Sequence, residues 1–171
     1  VSILTQKTIS KKISFTGIGI HSGNEVNLNL LPASPNTGII FKRTDLKKNN
    51  LIYPNYLNVT DTTLCTTISN DHGVKISTIE HLMGALYGIG VDNILIELDS
   101  SEVPIMDGSA KKFVESIQSV GLKFSDQPIK IIKINNQVKI EDGEKYISIN
   151  KSNVTADIEF EIKYKNELIN T

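Results

Sequence analysis

The stretch Ser77-Thr78-Ile79-Glu80-His81-Leu82-Met83-Gly84-Ala85-Leu86-Tyr87-Gly88-Ile89-Gly90 decides how this chain is read. Ile79, Leu82, Met83, Leu86 and Ile89 recur at the spacing of one helix face, and Ser77 with Glu80 fits an S-x-x-E capping box. Gly88 and Gly90 are stop signals, so the spacing predicts an amphipathic helix over about Ile79 to Ile89. One apolar stripe on one helix must be covered by another layer.

That layer is legible as strands on either side of the helix. Downstream, Asn93-Ile94-Leu95-Ile96-Glu97-Leu98 reads as a strand, Pro104 to Ser109 as a turn, and a second helix carries Phe113, Val114, Ile117 and Val120 before Gly121. Upstream, Leu64 to Ile68 and Val74 to Ile76 flank the turn Asn70-Asp71-His72-Gly73 as a hairpin. Val26-Asn27-Leu28-Asn29-Leu30 alternates as a strand with one buried face, Ile39-Ile40-Phe41 starts another, and Leu4 to Phe15 reads as a single outer strand. The polar segment Lys123 to Pro128 reads as a boundary. Beyond it, Ile129 to Ile140, Tyr146 to Asn150 and Thr155 to Tyr164 read as three strands, with Asp142-Gly143 turning between the first two. The expectation is therefore an α+β protein. A first domain over 1–124 has a sheet layered on helices, and 125–171 is the start of a second, similar domain, because three strands alone cannot cover their apolar face.

Composition narrows the function classes. The 171 residues carry 18 Lys+Arg against 19 Asp+Glu, a formal charge of -1, which leaves no broad basic field for nucleic acid. No run of about 18 apolar residues is present. The single cysteine, Cys65, precludes an intrachain disulfide and fits a reducing compartment, so a cytoplasmic location is expected.

Three histidines, His21, His72 and His81, bound any metal chemistry. His81 falls in the first turn of the first helix beside Glu80. Successive helical residues point about 100° apart, so Glu80 leaves the face of His81 yet can flank a metal held there and take a proton from its water. The plainer readings stand beside this one: capping alone accounts for Glu80, and a lone helical His is more often a satisfied polar residue than a ligand. His21 sits in the glycine-rich loop GIGIHSG, where it can be presented to a ligand or can merely accompany turn glycines. His72 reads as a hairpin-turn residue, Cys65 as a small core residue and Asp107 as a turn or cap residue.

Three stretches together are not generic: TGIGIHSGNEVNLNLLPASPNTGIIFKRTD (16–45), STIEHLMGALYGIGVDNILIEL (77–98) and EVPIMDGSAKKFV (102–114). They resemble the N-terminal half of the UDP-3-O-acyl-N-acetylglucosamine deacetylases, the zinc-dependent amidases of lipid A synthesis in Gram-negative bacteria. The resemblance implies two domains of a ribosomal-protein-domain-2-like fold, each a mixed sheet against helices. It implies Glu80 as the general base and His81 as a Zn2+ ligand. It further implies that Leu64 and Cys65 border the cleft, that His21 lies near it, and that Lys145 contacts the phosphate side of a UDP-sugar lipid substrate. The amide would be hydrolysed to acetate and a free amine. The family's other zinc ligands, a His and an Asp on one helix, and its general-acid His have no counterpart before Thr171. On this reading the chain is an N-terminal portion, inactive alone, completed by a C-terminal half and monomeric at full length. The alternative is a non-catalytic binding or scaffolding module of the same fold.

Overall fold

The computed structural model describes residues 4–152 and 157–163. In chain order the elements are β1 (Thr5–Ile9), β2 (Ile13–Ile18), β3 (Glu25–Pro32), β4 (Ile39–Arg43), β5 (Leu51–Ile52), β6 (Val59–Asp61), β7 (Thr67–Ser69) and β8 (Lys75–Ile76). There follow α1 (Glu80–Ile89), β9 (Ile94–Leu98), α2 (Lys111–Val120), β10 (Leu122–Pro128), β11 (Val138–Asp142) and β12 (Lys145–Ile149). The fold class is α+β, as the strand and helix patterns indicate. The chain divides into two units, Val1–Ile129 and Lys130–Thr171.

The first unit is organised by a five-stranded sheet in the order β2-β3-β9-β4-β5, antiparallel except for the parallel pair β4 and β9. Period-2 alternation puts Phe15, Leu28 and Leu98 in register across three strands, and likewise Leu30, Ile96 and Phe41. These side chains are buried and form one apolar face. The opposite face is wet: Ser14 donates to Asn29, Thr16 to Asn27, and Asn27 to Asp99. Leu82, Ala85 and Leu86 of α1 and Phe113 and Ile117 of α2 join the same buried cluster. Phe113 meets Phe15 edge-to-face at 5.1 Å between ring centroids, a geometry that adds about 0.5–1.5 kcal/mol beyond area burial. At the far end of α1, Gly90 takes a left-handed φ of 80° and its N–H caps the carbonyls of Leu86 and Tyr87. Gly88 lies within the helix rather than ending it.

In the first unit some readings change. Leu4 to Phe15 is two strands in different sheets, because continued alternation from Ile9 through Ile13 would bury Lys11; the chain turns at Ser10, Lys11 and Lys12 instead. Lys123 to Pro128 belongs to β10, which pairs with β1 through Ile9 and Leu122, Thr8 and Lys123, and Lys7 and Phe124. Its polar composition reflects a two-stranded ribbon that covers little core.

In the second unit β11 and β12 form an antiparallel hairpin around Asp142-Gly143, with Gly143 at φ 59°. Strand pairing begins at Val138, so the stretch from Ile129 to Gln137, read as part of one long strand, lies outside that hairpin. Of the third expected strand, Thr155 to Tyr164, positions 155, 156 and 164 lie outside the described residues, and 157–163 carry no strand.

Candidate functional site

The capping box does not form. Helix α1 begins at Glu80 behind Ile79, whose φ and ψ are already helical, and no side chain caps it. Ser77 is tied elsewhere: its N–H and hydroxyl both donate to the carbonyl of Ser101, and its own carbonyl accepts from Val103. Thr78 then takes a left-handed φ of 57°, a conformation costly for a β-branched residue, and turns the chain into the helix.

Freed from capping, the Glu80 carboxylate reaches across to the segment before β7. Its Oε2 accepts the backbone N–H of Thr66 at 3.0 Å. The acid stays in the first turn of α1. His81 follows on the next helical position, and both residues are half-buried. Leu64 and Cys65 immediately precede Thr66. Leu64 is 86% exposed with φ 61°, and Cys65, half-buried rather than a core residue, has its Sγ 3.7 Å from Thr67 Oγ1. One short segment thus holds Glu80 by the backbone of Thr66 and carries Leu64 and Cys65 just before it.

His21 is exposed in the loop between β2 and β3, and its backbone N–H donates to Glu102 Oε1 at 3.0 Å. Glu102 is 1% exposed and is the hub of this region. Its Oε2 accepts from Ser22 N at 2.8 Å, and its Oε1 also accepts from Thr78 Oγ1 at 3.0 Å. Burial alone would raise the Glu102 carboxyl, but the hydrogen bonds from Ser22, His21 and Thr78 outweigh it and hold the group below the ordinary glutamate value. Thr66, Thr78 and Glu102 were not among the sequence candidates. The one local sign of Glu102 is an acid wedged beside the apolar Val103-Pro104-Ile105.

The remaining candidates fall elsewhere. Asp107 accepts from the N–H and hydroxyl of Ser109, whose Oγ accepts from Lys111 N, so PIMDGS builds the turn that starts α2. His72 closes the β7–β8 hairpin through Asn70. Lys145 lies on β12 of the second unit, opposite Asp142. Two surface recesses, of 350 and 490 Å³, are lined by residues around Asn49 to His72 and by Thr37 to Met83, and neither includes Glu80 or His81. Among the described residues no three His, Cys, Asp or Glu side chains are grouped to hold a metal ion. His81 offers one imidazole where catalytic zinc takes about three protein ligands, so these residues do not by themselves make a zinc site.

A family model described as UDP-3-O-acyl N-acetylglycosamine deacetylase matches residues 6–171. The chain belongs to that family. A UDP-3-O-acyl-N-acetylglucosamine deacetylase of Actinobacillus succinogenes is 48% identical over 147 residues, 86% of this chain and 48% of the relative. Proteins of the same name from Shewanella sp. strain W3-18-1 and Shewanella oneidensis are 48% and 47% identical over the same shares. The chain therefore spans about half the length of the curated deacetylases it matches. No helix among the described residues is long and apolar enough to cross a membrane.

Proposed function

We propose that the protein carrying this chain is a zinc-dependent UDP-3-O-acyl-N-acetylglucosamine deacetylase that hydrolyses the acetamide of its sugar nucleotide in lipid A synthesis, in the cytoplasm of a Gram-negative bacterium. The observation that carries the reading is the hydrogen bond from Thr66 N to Glu80 Oε2, because it replaces the capping explanation of that acid with an interaction that fixes its carboxylate. Glu80 Oε1 accepts no hydrogen bond among the described residues, so it has a lone pair for the proton of an attacking water. Glu80 would hold that proton while the carbonyl carbon becomes tetrahedral, and acetate and a free amine would leave once the nitrogen is protonated.

His81 would be one zinc ligand, with the others from sequence outside these 171 residues. Leu64 and Cys65 would border the substrate, a role supported by their place beside Thr66. His21 would lie near the same groups, supported by its backbone link through Glu102 to Thr78. Lys145 would meet the substrate's phosphates, a role that rests on family likeness. The 171 residues alone would be inactive. The test is acetate release from UDP-3-O-acyl-N-acetylglucosamine by the full-length protein, with and without a zinc chelator. Chelator-sensitive release supports the reading; binding of the sugar nucleotide with no release at saturating zinc overturns it in favour of a binding module.

A further inference from the structure

We propose that Glu102 is a positioning residue that sets the carboxylate of Glu80 by bracing the left-handed Thr78 at the entry to α1, while the same carboxylate anchors the His21 loop. The proposal rests on the reading of Glu80 as the base, and it names a buried acid that touches no reacting atom.

The geometry divides the Glu102 carboxylate into two arms. One reaches the loop: Oε1 accepts His21 N at 3.0 Å and Oε2 accepts Ser22 N at 2.8 Å. The other reaches the helix entry: Oε1 accepts Thr78 Oγ1 at 3.0 Å. Thr78 is 3% exposed and lies two residues before Glu80, and nothing in helix capping holds that entry in place. A β-branched residue at φ 57° persists only where its surroundings over-determine it. Here the backbone on either side is fixed, with Ser77 bridged to Ser101 and Val103 and Ile79 N donating to Thr66 O at 3.5 Å. Among the described residues, Glu102 makes the one side-chain hydrogen bond to Thr78 itself. Gly19 is shaped to the same hub: a Cβ there would run into the Glu102 carboxylate and Ser22 Oγ. A carboxylate with only neutral donors, fully buried and spanning two loops, is a device for fixing geometry.

The two arms can be cut separately. Glu102→Gln replaces an acceptor oxygen with a donor facing N–H groups and disturbs both arms, whereas Thr78→Val keeps the β-branched shape and removes the helix arm alone. Amide hydrogen exchange at Thr66, which reports whether Glu80 stays in place, is read on the full-length protein beside His21, Ser22 and the sheet residue Ile96. Thr66 is expected to exchange at least about tenfold faster in both variants, with Ile96 unchanged and the His21 and Ser22 amides loosened only in Glu102→Gln. At temperatures where both variants remain folded, kcat is expected to fall about tenfold with KM within about twofold. Unchanged Thr66 exchange in Thr78→Val overturns the proposal, as does a loss in kcat matched by Ile117→Ala at an equal drop in Tm. Absence of activity in the wild-type protein would instead count against Glu80 as base, and the exchange result would still decide what Glu102 does.

Discussion

Glu80 Oε2 and the backbone N–H of Thr66 lie 3.0 Å apart, joining the first turn of α1 to the segment that enters β7. The two residues are 14 positions apart, and the bond depends on a helix entry that Ser77 does not cap. Its consequence is chemical: an acid that sequence pattern explains as a cap is held as a fixed acceptor beside His81.

The core should fail first where sheet and helices meet. Phe113 is fully buried against Phe15, so Phe113→Ala is expected to cost about 3–5 kcal/mol by urea unfolding, against about 1–2 kcal/mol for the half-buried Val114→Ala. Equal losses at the two positions would contradict the assignment of the apolar stripe.

Stability should depend on pH through Glu102. Its folded-state value is held below that of an unfolded glutamate, about 4.3, because its hydrogen bonds outweigh the burial that opposes them. A depressed carboxylate stabilises the fold above its unfolded value, and that contribution is lost as pH falls toward the folded one. The donors that face it are the neutral groups of His21, Ser22 and Thr78. The urea midpoint should therefore drop on acidification below about pH 4.3 more steeply in wild type than in Glu102→Gln. Parallel curves would remove Glu102 from the account.

Gly19→Ala is expected to destabilise by about 1–3 kcal/mol, since the added methyl meets the Glu102 carboxylate and Ser22 Oγ in a buried position. The comparison is Gly84→Ala, where a Cβ meets nothing and the helical site gains propensity, so the change should be neutral or stabilising. Thermal melts of the two variants suffice to check it.

Zinc should bind the isolated 171 residues weakly. One imidazole at His81, with no group of three ligands among the described residues, gives no stoichiometric binding at micromolar zinc by calorimetry. Tight one-to-one binding abolished by His81→Ala would show that the chain holds more of the site than these residues supply.

The sheet and helices were legible because burial imposes periods. Alternation in β3, and Leu82 and Leu86 of the helix stripe, face the same cluster, while Met83 and Ile89 of that stripe are only half-buried against it and Ala85 joins it without a signal in the pattern. The break between β1 and β2 and the strand β10 were not, since a two-stranded ribbon with wet faces leaves no period and Ile9 and Ile13 keep even spacing across a turn. The adjacency of Glu80 and His81 needs only the sequence. Their surroundings do not follow from it, because the bonds to Thr66, and from Thr78 to Glu102, join positions 14 and 24 apart through backbone and hydroxyl groups that carry no local signature. The S-x-x-E match misled for the same reason: the Ser77 hydroxyl and backbone bond Ser101 and Val103, 24 and 26 positions away, and the hydroxyl does not cap.

Glu80→Gln in the full-length protein, read as turnover and stability together, decides whether this carboxylate is the base. Glutamine keeps an oxygen to accept Thr66 N–H but cannot take the proton from water. kcat is expected to fall by at least about a hundredfold with stability within about 0.5 kcal/mol of wild type. Turnover close to wild type, whatever the stability, would contradict that role.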